Sequence, residues 1–281
     1  MSAPWRSALV TGASAGIGAS LVRLLAERGV ARVVVVARRG DALEALAAEV
    51  HAAQPGTSVE VLVADLADPD GCAAVEARLA ADDEPIDLLV NNAGFGTAGA
   101  FWELPLDGEA REVALNAVAV LRLSHAALGP MVARGRGAVV NVSSLASNQP
   151  TPGMATYGAT KAFVTMFTEG LAQDLRGTGV TATAVLPGYT RTEFAAAMGG
   201  NGPDPEAASS IEAMAPAFAW LTADAVAAET LDAAAAGKVL CVPGAGYKVV
   251  NALEAPLPRT ARRWLIGRLV GAPARLAGRD G

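Results

Sequence analysis

Seven short runs rich in β-branched residues alternate with longer, alanine-rich amphipathic stretches along the 281 residues of this chain, and that alternation limits its fold more than any other feature. The runs lie at 7–11, 32–37, 59–64, 87–91, 138–143, 180–186 and 238–242. The amphipathic stretches lie at 17–28, 42–53, 71–81, 109–133, 154–176 and 223–235. Near-continuous apolar runs such as Val33 to Val36 suit strands covered on both faces. Strands joined by helices imply parallel pairing, so the expected class is α/β: a doubly wound, mostly parallel seven-stranded sheet flanked by helices. With 52% hydrophobic residues and no internal repeat or linker, a single domain over 1–281 is expected. Within it, 189–220 would form a lid and 256–281 an extension.

Composition removes several function classes. A net charge of −6 argues against general nucleic-acid binding. No uninterrupted apolar run reaches the roughly 18 residues of a membrane span, and residues 1–7 hold no apolar signal core, so a cytoplasmic location is expected. Cys72 and Cys241 show no paired spacing and are read as two buried thiols. No metal site is expected. The charge is uneven, however: from Arg259 onward six arginines accompany one acid. Pro258 would start a helix with Ala261, Trp264, Leu265, Leu269 and Ala272 in one stripe and Arg259, Arg262 and Arg263 elsewhere. Such a helix suits peripheral contact with a membrane surface, closure over a partner subunit, or docking on its own domain.

The first run leads into Thr11-Gly12-Ala13-Ser14-Ala15-Gly16-Ile17-Gly18 and then a helix. Glycines at 12, 16 and 18 let the backbone turn sharply and approach a pyrophosphate, with Ser14 and Ile17 in the same turn. The helix N-terminus offers free N–H groups and the positive end of its dipole. The same residues also read as a Gly-x-Ser-x-Gly nucleophile elbow, which would make the chain a serine hydrolase acting through Ser14. Chain order opposes that: one strand precedes Ser14, and the only histidines, His51 and His125, fall in mid-helix positions.

The end of the second run concerns cofactor choice. NAD-specific sites place an acid about 20 residues beyond the glycine turn, where it repels a 2′-phosphate. Here Ala37 stands at that point, followed by Arg38 and Arg39, and the next carboxylate, Asp41, suits a helix cap. A guanidinium there can fork onto the phosphate and stack on adenine. Arg38 is expected to do so, with Arg39 pointing away, and NADP(H) is therefore expected over NAD(H).

Asn91-Asn92-Ala93-Gly94 follows the fourth run and Ser143-Ser144 the fifth; thirteen residues beyond Ser144 stands Tyr157, with Lys161 four further on. On a helix the phenol and the ammonium share a face. A cation about 4 Å from a partly screened phenol favours the phenolate by roughly 4 kcal/mol, which would bring Tyr157 toward neutrality unless burial opposes it. Such a phenol is a general acid for ketone reduction and a base for alcohol oxidation.

Together these motifs resemble the short-chain dehydrogenase/reductase family over about residues 6–245, and the resemblance implies a Rossmann-type fold. It further implies Tyr157 as acid/base, with Lys161 binding the nicotinamide ribose. Ser144 would bond the reacting oxygen and Asn116 would hold a relay water. Asp65 and Leu66 fall at the adenine position, and Asn92, Ala93 and Gly94 line the cofactor cleft. Pro187, Gly188, Thr190 and Thr192 match the turn after the sixth strand. A homodimer or homotetramer through the helices near 109–133 and 154–176 is implied as well. The substrate would be a small-molecule ketone or secondary alcohol, and Phe95, Trp102, Phe194, Met198, Met214, Phe218 and Trp220 suggest an apolar one. A redox sensor that binds the dinucleotide without turnover is the alternative.

Overall fold

The computed structural model describes residues 3–194 and 217–254, together with 257, 258, 260 and 261. Strand β1 is Ser7–Thr11, β2 Arg32–Ala37, β3 Ser58–Val63, β4 Leu88–Asn91, β5 Gly137–Val142 and β6 Val180–Val185. Two-residue strands follow: β7 Thr190–Arg191, β8 Leu221–Thr222 and β9 Leu240–Cys241. The helices are α1 Gly16–Glu27, α2 Gly40–Ala53, α3 Pro69–Ala80, α4 Leu106–Val113, α5 Val120–Arg134, α6 Ala155–Asp174, α7 Ala223–Ala235 and α8 Ala245–Glu254.

The expected sheet forms, with order β3-β2-β1-β4-β5-β6-β9 and every neighbouring pair parallel. Strand β2 shows why. Successive side chains point to opposite faces, so Val33 and Val35 join one core with Leu21 and Leu25 of α1, Leu43 of α2 and Leu231 of α7. Val34 and Val36 join the other core, with Val75 of α3 and Leu123 and Met131 of α5. All four valines are fully buried, and each stabilises the fold by about 1.5–3 kcal/mol. Polar residues at those positions would fail on both faces, which is why the sequence there lacks alternation.

Two expectations need correction. The last strand, expected over 238–242, keeps only Leu240–Cys241, paired through Ala184 and Val185. The helix expected over 109–133 extends from Leu106 to Arg134 but is not uniform: Ala114–Ala119 is a π-helical segment between α4 and α5. That run has the length and apolar content of a membrane span, yet it packs against α3, β5 and α6 as a helix of the core. Cys72 and Cys241 are buried, free thiols, as expected. Asp41 lies in the first turn of α2, whose N-cap position is Arg39. Met198, Met214, most of the expected lid and the arginine-rich stripe from Arg262 onward lie outside the described residues.

The topology sets the site. Chain order reverses between β1 and β4, and open α/β sheets bind ligands at such a switch point, beyond the C-terminal strand ends. Thr11, Ala37, Asn91, Val142 and Val185 all end there.

Candidate active site

The glycine turn is built against the end of β4. The Thr11 hydroxyl donates to the Val90 carbonyl (3.3 Å) and accepts the N–H groups of Asn92 (2.9 Å) and Ala93 (3.0 Å). The Asn92 amide returns a bond to the Thr11 carbonyl at 2.9 Å. Gly16 has φ +55°, and a Cβ there would stand 2.9 Å from Thr192 Cγ2. At Gly18 a Cβ would fall 2.2 Å from the Gly12 carbonyl oxygen. Only glycines let the turn close this tightly. Helix α1 starts immediately behind, with no side-chain cap and no acid in its first turn, so its leading N–H groups are free for an anion. Gly12, Gly16, Gly18, Asn92, Ala93 and Thr192 therefore come together, while Ile17 packs partly into the core.

Arg39 departs from expectation. It does not point away: its guanidinium bonds the Ser14 hydroxyl (3.2 and 3.3 Å) and carbonyl (3.3 Å) and pairs with Glu193 at 3.0 Å. It folds back over the glycine turn because α2 begins right after it, at Gly40. Arg38 lends its positive charge to Asp65. Asp65 is a structural anchor here, accepting the Ala67 N–H at 3.0 Å and pairing with Arg111 of α4. Burial pushes its carboxyl up, but the Ala67 bond and the Arg111 and Arg38 charges outweigh that and hold it below its usual range. Leu66 is 6% exposed and belongs to the core.

The catalytic candidates converge beside this turn. Strand β5 ends at Val142, whose carbonyl accepts the Lys161 ammonium at 2.9 Å. Ser143 faces inward, its hydroxyl donating to the Lys161 carbonyl at 2.8 Å. Ser144 is half-buried; its hydroxyl accepts the Ala146 N–H at 3.1 Å and lies close enough to the Tyr157 phenol to favour its ionised form. The Lys161 Nζ lies 5.7 Å from the centre of the Tyr157 ring. Asn116 sits in the π-helical segment, a feature frequent at functional sites. Its amide donates to the Phe95 carbonyl (2.8 Å) and the Thr160 hydroxyl (3.2 Å), and its Oδ1 accepts the Phe95 N–H at 3.2 Å. A Cβ on Gly94 would stand 3.0 Å from Asn116 Oδ1 and 3.3 Å from Lys161 Nζ, so glycine there lets the amide and the ammonium approach the same strand end.

The electrostatics correct one expectation. Burial pushes the Tyr157 phenol up to about 12; the Ser144 hydrogen bond works against the rise and the Glu112 charge adds to it. Burial brings the Lys161 ammonium down to about 8, with Glu112 opposing. Desolvation thus wins over attraction at the phenol, because both groups are almost sealed from water.

The turn after β6 closes the other side. Pro187 accepts the Leu145 N–H at 3.1 Å, Thr190 bonds the Gly188 carbonyl at 3.0 Å, and the Tyr247 ring covers Gly188. Phe194 leans on Tyr157, ring centres 5.6 Å apart, and Tyr189 meets Trp220 at 5.3 Å. Phe95 is partly buried next to Asn116, whereas Trp102 and Phe218 are mostly exposed. Sequence reasoning missed three features: the π-helical segment, the Asn91–Asn141–Thr168 chain of buried hydrogen bonds, and the buried carboxylate of Glu112.

The short chain dehydrogenase family matches residues 6–201. An oxidoreductase of Myxococcus xanthus, otherwise uncharacterised, is 41% identical over 192 residues, 68% of this chain and 75% of the relative. Serine 3-dehydrogenase of Agrobacterium fabrum is 39% identical over 188 residues, 66% of this chain and 72% of the relative. A solved short-chain dehydrogenase from Sphingobium yanoikuyae in complex with NADPH shares 35% identity at a TM-score of 0.78, over 98% of this chain and 99% of that one. Sheet order, site geometry and these likenesses agree: the chain belongs to the short chain dehydrogenase family and is an oxidoreductase.

Proposed function

We propose that this chain interconverts a ketone and a secondary alcohol with NADP(H), preferred over NAD(H), and that Tyr157 is the general acid and base. The observation that carries this is the buried Tyr157 phenol with the Lys161 ammonium 5.7 Å from its ring, and Lys161 and Asn116 meeting beside it at Gly94. When bound, the nicotinamide accepts or supplies the hydride; the residues around it hold, orient and move the proton. The open glycine turn and the uncapped α1 N-terminus fit the pyrophosphate of such a cofactor. Tyr157 gives its proton to the reacting oxygen on reduction, Ser144 orients that oxygen, and Lys161 offsets the negative charge left on the phenol. Arg38 and Arg39 follow the end of β2 where an acid would repel a 2′-phosphate, which supports the preference, and the Sphingobium relative solved with NADPH supports NADP(H) as a cofactor.

Phe194 against Tyr157 favours an apolar carbonyl. One domain, with 189–220 as lid and 256–281 as extension, and a homodimer or homotetramer complete the reading. Exposed Val118 of the π-helical segment, Leu121 of α5 and Phe163 and Met166 of α6 support the oligomer. A carbonyl panel read by NADPH absorbance tests the function, with serine oxidation as the polar arm. Turnover of aryl or bulky ketones is expected; no turnover of any carbonyl or alcohol would leave a binding protein.

A further inference from the structure

Helix α4 carries Glu109 and Glu112, three residues apart and so on one face. That face is turned inward: Glu112 is fully buried and Glu109 is 5% exposed. Carboxylates are almost never buried this deeply without a partner, because leaving water is costly for the charged form. Glu112 Oε2 accepts both the N–H (2.9 Å) and the hydroxyl (2.7 Å) of Thr97. Among the described residues its Oε1 has no hydrogen-bond partner, and neither does Oε1 of Glu109, whose other oxygen accepts the Thr156 hydroxyl. Glu112 lies one helical turn before Asn116, and Thr97 lies three residues after Gly94. The carboxylate is therefore fixed to both pieces that surround Lys161. Burial pushes the Glu112 carboxyl up and its two Thr97 hydrogen bonds work against the rise, with Glu109 adding to it and Lys161 opposing it; Tyr157 in turn senses Glu112.

We propose that Glu112 is a positioning residue of this site: its sealed carboxylate is the counter-charge that keeps Lys161 and Tyr157 in their protonated forms, ready to reduce a carbonyl. The inference rests on Tyr157 acting as general acid. A buried negative charge stabilises an ammonium and opposes a phenolate, so it favours protonation of both members of the pair. Removing it makes the pair release its first proton at lower pH, whichever residue releases it. The sign of the effect does not depend on how the pair shares its protons.

The chain holds three lysines, Lys161, Lys238 and Lys248, so NMR of isotope-labelled lysine Cε can follow each one, with Lys161 assigned by its loss in Lys161→Arg. The Lys161 midpoint, near 8, should fall by about half a unit or more in Glu112→Gln. It should recover in Glu112→Asp, which restores the charge. The alkaline limb of NADPH-dependent ketone reduction should move the same way. If Glu112→Gln does not fold, Glu112→Met removes the charge at similar volume and should show the same fall. A Lys161 midpoint that stays in place in a folded, charge-free variant overturns the proposal. A midpoint that falls in a chain reducing no carbonyl would instead overturn the proposed function and leave the electrostatic pairing standing.

Discussion

Replacing Arg39 with leucine removes the guanidinium that lies over the glycine turn, and the consequence can be sized from its present partners. Its ion pair with Glu193 joins side chains that are 50% and 67% exposed, and such pairs are worth about 0–1 kcal/mol. A 2′-phosphate offers a doubly charged acceptor, and hydrogen bonds to charged groups contribute roughly 1.5–3 kcal/mol. The phosphate should therefore displace Glu193 and still leave a preference for NADPH on the order of 2- to 150-fold in kcat/KM. Arg39→Leu should remove most of that ratio; it also removes the bonds to Ser14 in the glycine turn, a loss that NADPH and NADH share and that cancels in the ratio. Arg38→Leu should act in the same direction, and Glu193→Gln should raise NADPH kcat/KM by up to about fivefold by freeing the guanidinium. Steady-state kinetics with both cofactors and a saturating ketone give the answer. Equal kcat/KM for NADPH and NADH in the unmutated chain, or a ratio that survives both arginine replacements, would refute the reasoning.

Three further outcomes are expected. Lys161 releases its proton near 8 in the folded chain against 10.5 as a free side chain, so the unfolded chain binds the extra proton between those values and stability should rise with pH there. Urea unfolding of the native chain should show that rise from about pH 8 to 9, and Lys161→Met should flatten it; above that the buried Cys241 thiol, pushed up to about 11, and then Tyr157, held protonated to about 12, oppose it. Gly18→Ala drives a Cβ to 2.2 Å from the Gly12 carbonyl, which should cost about 1–3 kcal/mol in thermal unfolding and weaken NADPH binding measured by fluorescence. Phe194→Ala removes the ring beside Tyr157 and should raise KM for bulky ketones several-fold, with kcat reduced less, in the same absorbance assay.

The sheet was legible because burial on both faces leaves a direct mark on sequence: Val33 to Val36 has no polar position to misread. Strand β9 was overextended because the Lys238 N–H still bonds the Ala233 carbonyl at the end of α7, and of the next residue only the carbonyl reaches β6, so the paired register covers Leu240 and Cys241. The nearness of Tyr157 and Lys161 was legible as spacing, since the two must share a face of α6. Its electrostatics were not. Spacing gives the distance between charges but not the depth at which they sit, and depth decides that burial lifts the phenol. Glu112 stayed hidden for the same reason. On α4 it resembles any solvated acid, and only the fold of Thr97 and α6 around it shows that it is sealed. Arg39 was misdirected because strand alternation was carried two residues past the end of β2, to the N-cap position of α2.

Turnover of the Tyr157→Phe variant, measured beside its NADPH affinity, tests the central claim most directly. The ring keeps its contact with Phe194 but loses the transferable proton, and a positioned general acid contributes about 10²–10⁴-fold. NADPH should bind with unchanged affinity while ketone reduction falls by at least about a hundredfold. A variant that binds NADPH normally and keeps more than about a tenth of the native rate would contradict Tyr157 as the proton donor.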